Sequence, residues 1–204
     1  MGSENFVTVN VCICSIFDGR LNVLLKRREL PPFINSWTIP ESFFNNDDES
    51  LESVADRILL EESIKKVYIE QLRTYSDIKR RQVISVCYFA ILSSHSIDTR
   101  IGNWFPLKNL PKDLVFNHEE ILNDLLKRLE GKINYSPIAF NFLPKQFTWN
   151  DLQKVYEIIL NKKFVAPNFR RNILLKYDLK ELKEKKKTLY GRPSSFLSFK
   201  KEIL

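Results

Sequence analysis

Apolar and polar residues alternate from the start of the chain. Residues 7–17 read VTVNVCICSIF, the pair Asp18-Gly19 follows, and residues 21–26 read LNVLLK. A period of two on either side of such a pair predicts a β-hairpin. Pro31, Pro32 and Pro40 then frame a loop holding Trp37 in a short extended stretch, WTIP. The period shifts to that of a helix up to about residue 62: Leu51, Val54, Ala55, Ile58 and Leu59 make one stripe, and Asp47 and Asp48 offer cap chemistry at its start. Strands are expected at 67–75 and 82–92, the second (QVISVCYFAIL) apolar enough to sit inside a sheet, with a short edge strand at 104–106. A second helix should run from a cap at Asn117 through residue 129 and stop at Gly131.

The pattern changes character after residue 131. Residues 132–147 are neither Gly/Ser-rich nor highly charged, and Tyr135, Pro137, Ile138, Phe140, Phe142 and Leu143 predict a packed connection rather than a floppy linker. Thr148 with Asp151 forms a capping-box variant, opening a helix whose stripe is Trp149, Leu152, Tyr156, Ile159 and Leu160. Pro167 suits the first position of another helix, over 167–176, which turns Phe169 and Ile173 inward and Asn168, Arg170, Arg171 and Asn172 outward. A Lys-rich turn and residues 189–199, with Gly191-Arg192-Pro193 between two β-prone runs, complete the order helix, turn, helix, wing.

Composition narrows the picture. At 204 residues, 44% hydrophobic and 28% charged, the chain has room for two globular domains, expected at 1–131 and 132–204. No apolar run approaches the roughly 20 residues of a membrane-spanning helix, and the N-terminus opens directly into a strand pattern, so neither membrane association nor a signal peptide is expected. Cys12, Cys14 and Cys87 sit in strand patterns without His or Cys at ligand spacing. They are expected as free buried thiols in a reducing cytoplasm, with no metal site and no cofactor. Of the +7 net charge, residues 138–204 hold 15 Lys and Arg against 6 Asp and Glu, whereas residues 1–137 hold 17 against 19. A basic C-terminal third suits a polyanion such as double-stranded DNA, although a solvated Lys-rich face has the same composition.

Three C-terminal stretches, AFNFLPKQFTWNDLQKVYEIIL, APNFRRNILL and YGRPSSFLSF, resemble in order and spacing the winged helix of the Nudix-related transcriptional regulators. FNHEEIL at 116–122 and VISVCYFAI at 83–91 also resemble these proteins, and residues 6–130 are similar to a Nudix domain. The resemblance implies an α/β fold: a Nudix-like α/β/α sandwich with a C-terminal winged helix-turn-helix domain. It also implies a cytoplasmic, ligand-responsive repressor that binds an operator as a homodimer, with an effector that is ADP-ribose-like or a free sugar.

Residues 40–62, PESFFNNDDESLESVADRILLEE, resemble a Nudix box with parts missing. Glu41 and Ser42 stand where the family has glycines, the Gly expected near Ile64 is absent, and Ile58 stands where a metal-binding Glu follows Arg57. Two carboxylates and a hydrocarbon are a poor set for a hard cation, so no catalytic residue is assigned, and the rival reading is an active Nudix hydrolase of a nucleoside diphosphate-linked substrate. Periodicity alone permits the plainer view that Ile58 continues the apolar stripe while Glu61 and Glu62 are solvated. The effector site is expected at Trp37, Phe43, Arg57, Glu61 and Glu62, and loss of the glycines leans toward a sugar. DNA contacts are expected from Asn168, Arg170, Arg171, Lys186 and, at the wing tip, Arg192. His95 and His118 are expected to have capping or surface roles.

Overall fold

The computed structural model describes residues 6–29, 31–45, 47, 50–76, 83–96, 102–186 and 194–200. The strand β1 (Phe6–Phe17) is the axis of the sheet. It forms the expected hairpin with β2 (Arg20–Arg27) through Asp18 and Gly19, both at positive φ (51° and 69°), as a tight two-residue hairpin loop requires. Its other half pairs antiparallel with β4 (Glu41–Phe43), and its whole length pairs parallel with β6 (Val83–Leu92), from Phe6 opposite Val83 to Ser15 opposite Leu92. The strand β5 (Tyr68–Ser76) closes one edge against β6, β3 (Trp37–Thr38) lies at the other edge beside β2, and β7 (Asn103–Pro106) also pairs with β2.

Both faces of this sheet are covered, which is why β1 and β6 are apolar in both phases. Val9, Val11, Ile13, Val86, Tyr88 and Ala90 pack on one side against α1 (Leu51–Glu61), through Val54, Ala55, Ile58 and Leu59. Cys12, Cys14, Val23, Cys87 and Phe89 pack on the other side against α2 (His118–Lys132), through Ile121, Leu122, Leu125 and Leu129. The three cysteines are free and buried as expected, and burial pushes their thiols well above the ordinary range, leaving them inert.

The second core does not stop at α2. It continues through Ile133 and a 3₁₀ segment, Pro137–Phe142, into α3 (Trp149–Leu160), α4 (Ala166–Leu174) and a wing of β8 (Leu179–Lys186) and β9 (Ser194–Phe199). Phe147 bridges to Leu197 and adds a third short strand contact to the wing. Ile138, Ala139 and Phe142 are buried, and Phe140 stacks on Phe199 at 4.1 Å, so the connection is packed from Ile138 onward, while Tyr135 and Pro137, expected inside it, are exposed where the chain turns away from α2. No helix among the described residues is long and apolar enough to cross a membrane.

Four local expectations need correction. The cap of α1 is Ser50, reciprocally bonded with Ser53, not Asp47; Asp48 lies outside the described residues. Ser50 wins because its hydroxyl stands one residue before the first helical turn, where the free N–H groups are. Gly131 does not end α2: the helix runs on to Lys132 because Ile133 is drawn into the core beneath it. The Lys-rich stretch is largely strand β8 rather than turn, since pairing with β9 engages its backbone while Lys180, Glu181, Lys183 and Glu184 stay in water. His118 is neither cap nor surface residue. It is 1% exposed, and its Nδ1 accepts the Ile39 N–H at 3.1 Å, tying the start of α2 to the β3–β4 segment.

Candidate functional site

The C-terminal end of β2 carries three basic residues in a row, Lys26, Arg27 and Arg28, and each finds a carboxylate on a different element. Lys26 Nζ lies 2.7 Å from Glu62 at the end of α1. Arg27 lies 2.8 Å from Asp113 while its guanidinium stacks 3.8 Å above the Trp37 ring. Arg28 pairs with Glu41 of β4, both side chains largely buried, and also donates to the carbonyls of Pro31 and Pro32. Asn10 donates to the second oxygen of Glu41 at 3.2 Å. A carboxylate thus fills the position where the Nudix pattern has a glycine, and its charge is balanced from within.

Strand alternation divides the predicted effector residues. Arg57 donates to the Ser42 hydroxyl (3.1 Å) and the Phe43 carbonyl (3.3 Å), which ties α1 to β4; Phe43 is exposed, Glu61 is exposed at the helix end, and Glu62 sits against Lys26. Arg57, Glu61 and Glu62 lie on the α1 side of the sheet, whereas Phe43 stands opposite Thr8, which alternates with Val9 and so points to the α2 side. Trp37 is on that α2 side too, paired with Arg27 and set against Phe105 and Leu114. Ile58 lies in the α1 core at 1% exposure, as the plain reading of its stripe has it, and among the described residues no cluster of His, Cys, Asp and Glu is arranged to hold a metal. The basic triplet was not expected at the site, nor Glu41 as its partner. The signal for the triplet is the run KRRE directly after an apolar strand, where charges are expected to need partners.

At the other end of the molecule, α4 buries Phe169 and Ile173 and exposes Asn168, Arg170, Arg171 and Asn172. Phe169 stands edge-on to Tyr156 of α3 at 5.2 Å. Arg170 lies 5.6 Å from the Trp149 ring, which holds the guanidinium without neutralising it. Lys186 is the last residue of β8, and Arg192 lies outside the described residues. A cleft of about 1030 Å³ separates the sandwich from α3, with Arg20 and Lys108 on one wall and Lys154 and Lys163 on the other. Neither predicted set lines it.

This geometry agrees with known proteins. Residues 139–199 match the NrtR DNA-binding winged helix domain. The chain is 31% identical over 179 residues to the ADPR responsive transcriptional repressor NtrR of Acinetobacter baylyi, covering 82% of this chain and 72% of that one. The structure of Shewanella oneidensis NrtR complexed with a 27mer DNA superposes with a TM-score of 0.84 at 31% identity, covering 95% and 93% of the two chains. The Nudix domain of the same protein complexed with ADP ribose gives a TM-score of 0.51 at 31% identity, covering 63% of this chain and 90% of that one. A Nudix-like sandwich joined by a packed connection to a winged helix of the NrtR type places the chain in the family of Nudix-related transcriptional regulators, as a ligand-responsive DNA-binding protein.

Proposed function

We propose that the chain is a repressor that releases its operator when an ADP-ribose-like metabolite binds the sandwich, residues 1–131, and that residues 132–204 read the DNA. The observation that carries this reading is α4, which anchors itself on Phe169 and Ile173 and leaves two arginines and two asparagines facing out. Such a helix suits a major groove, where Arg reads guanine and Asn reads adenine in bidentate fashion. Arg170, Arg171 and Asn168 take the base and phosphate contacts, with Lys186 and Arg192 supporting from the wing. The protein acts as a homodimer on paired half-sites, which suits one reading helix per chain.

The effector lies against Arg57, Glu61 and Glu62, with Phe43 and Trp37 contributing from the other side of the sheet edge. Support for ADP-ribose comes from the Acinetobacter repressor and the Shewanella Nudix domain, both linked to that molecule. One observation favours a free sugar as second reading: Glu41 and its Arg28 partner fill the place where glycines would admit a diphosphate. Binding drives release only by its differential affinity for two arrangements of the halves.

Thermal shift with ADP-ribose and with pentoses, each without and with Mg²⁺, tests the reading, because a ligand selective for the folded state raises Tm by mass action. ADP-ribose is expected to raise Tm without Mg²⁺ and without being consumed, and to free a bound duplex. A shift with pentoses alone would select the sugar, and Mg²⁺-dependent turnover of ADP-ribose would select the hydrolase.

A further inference from the structure

The reading helix begins without the usual anchor. The residue before it, Val165, is 67% exposed and has no side-chain bond to the free N–H groups of the first turn, so α4 has no cap of its own and is held beyond that turn by Phe169 and Ile173. The anchor comes from α3. Gln153 and Glu157 stand one helical turn apart and reach the two peptide groups that flank one residue: Glu157 Oε1 accepts the Phe164 N–H at 3.1 Å, and Gln153 Nε2 donates to the Phe164 carbonyl at 2.9 Å. Gln153 Nε2 also donates to Glu157 Oε1 at 2.9 Å, and Lys163 closes the other carboxylate oxygen at 2.9 Å. The main-chain carbonyl of Glu157 accepts from Lys162, and α3 ends on Asn161 in the left-handed conformation (φ 49°). Residues 161–164 are therefore hung on one side chain pair, and the Phe164 ring continues into Phe169 of α4 at 5.6 Å.

We infer that Gln153 and Glu157 are positioning residues for DNA recognition: by gripping both the N–H and the C=O of Phe164 they set the direction of α4, and with it which base edges Arg170 and Arg171 reach. The inference rests on α4 being the helix that enters the groove. Its physical basis is that bidentate base contacts tolerate little angular error, whereas phosphate contacts made by long Lys and Arg side chains adapt. Loosening the grip should thus cost specificity before it costs affinity for DNA in general.

The test uses the full chain, a duplex enriched by it from a random-sequence pool, and a shuffled duplex of the same composition, titrated by fluorescence anisotropy over a NaCl series. Glu157→Leu and Gln153→Met are each expected to lower the ratio of enriched to shuffled affinity on the order of tenfold, the loss of a hydrogen bond involving a charged or buried group. Shuffled-duplex affinity and the salt slope are expected to stay as in the wild type, since the phosphate contacts are untouched. Glu157→Gln keeps an acceptor for the Phe164 N–H and is expected to retain most of the ratio. The inference is overturned if both disrupting variants keep the wild-type ratio, if Glu157→Gln fails as badly as Glu157→Leu, or if both disrupting variants unfold, which would make the pair a stability element only. Should Glu157→Leu alone unfold, Gln153→Met decides. A wild type that enriches no duplex would instead sink the DNA-reading role of α4, a separate failure.

Discussion

The end of β2 and the face of α4 are both rich in basic side chains, yet the fold treats them in opposite ways. Lys26, Arg27 and Arg28 are each matched with a carboxylate on another element, and Arg57 is bonded to β4. Among the described residues neither Arg170 nor Arg171 has an acidic partner. Matched charges near a sheet edge set geometry: they hold the 31–36 loop, β4 and the end of α1 in place, and a ligand arriving there has to exchange one partner for another. Unmatched charges on an exposed helix cost little in water and remain available to a polyanion, whose counterions are released on contact. The sensor half is therefore closed on itself, and the reading half is left open.

The strongest way to break that contrast is Ile58→Glu, which would restore the carboxylate that the Nudix pattern lacks. Because Ile58 is 1% exposed between α1 and the sheet, the change should not create a metal ligand; it should cost above about 4 kcal/mol by placing a charge in the core. Urea unfolding measures it. A variant of wild-type stability that binds Mg²⁺ would mean that position 58 faces the ligand side and that the sensor half is less closed than described.

Next in size are the arginines of α4. Arg170→Ala and Arg171→Ala should each lose about 1–3 kcal/mol of preference for one base position, while Lys186→Ala should weaken all sequences alike and reduce the salt slope. Anisotropy titrations on matched and singly substituted duplexes separate the two patterns. Wild-type selectivity in both Arg variants would move recognition to the wing.

The smallest effect concerns acid. Glu157 has its carboxyl lowered to about 2, first by the Gln153 amide and then by Lys163 and the Phe164 N–H. A carboxyl depressed in this way adds stability that is complete above its ordinary pKa, near 4.5, and is lost as pH falls through about 2. Glu157→Gln should therefore be less stable than the wild type at pH 7, with the gap narrowing at pH 3. A gap that widens in acid would mean that Glu157 is not held as a carboxylate.

Local pattern was enough for most elements. Alternation in 7–17 and the Asp18-Gly19 pair gave the hairpin, because strand period and turn chemistry act within a few residues. Thr148 with Asp151 marked the start of α3, Phe169 and Ile173 the buried side of α4, and Ile138 to Leu143 a packed connection, all through short-range chemistry. The cap of α1 and the end of α2 were misjudged because Ser50 against Asp47, or Gly131 against Lys132, is settled by how the flanking chain meets the core.

What the tertiary structure alone decided is which side chains face one another. Periodicity left Ile58 open between core and pocket, and only the packing of α1 on Val9, Val11 and Val86 resolved it. The family resemblance put Trp37 and Phe43 with Glu62, but strand register turns both aromatic residues to the side of the sheet opposite Glu62, since cross-strand partners share a face and neighbours in a strand do not. The pairs Lys26 with Glu62, Arg28 with Glu41 and Glu157 with the Phe164 peptide join residues through folding, so no reading of composition or spacing contains them. The sequence by itself determined the elements and the family of this protein; three-dimensional contact determined which of its charges are matched and which are left in water.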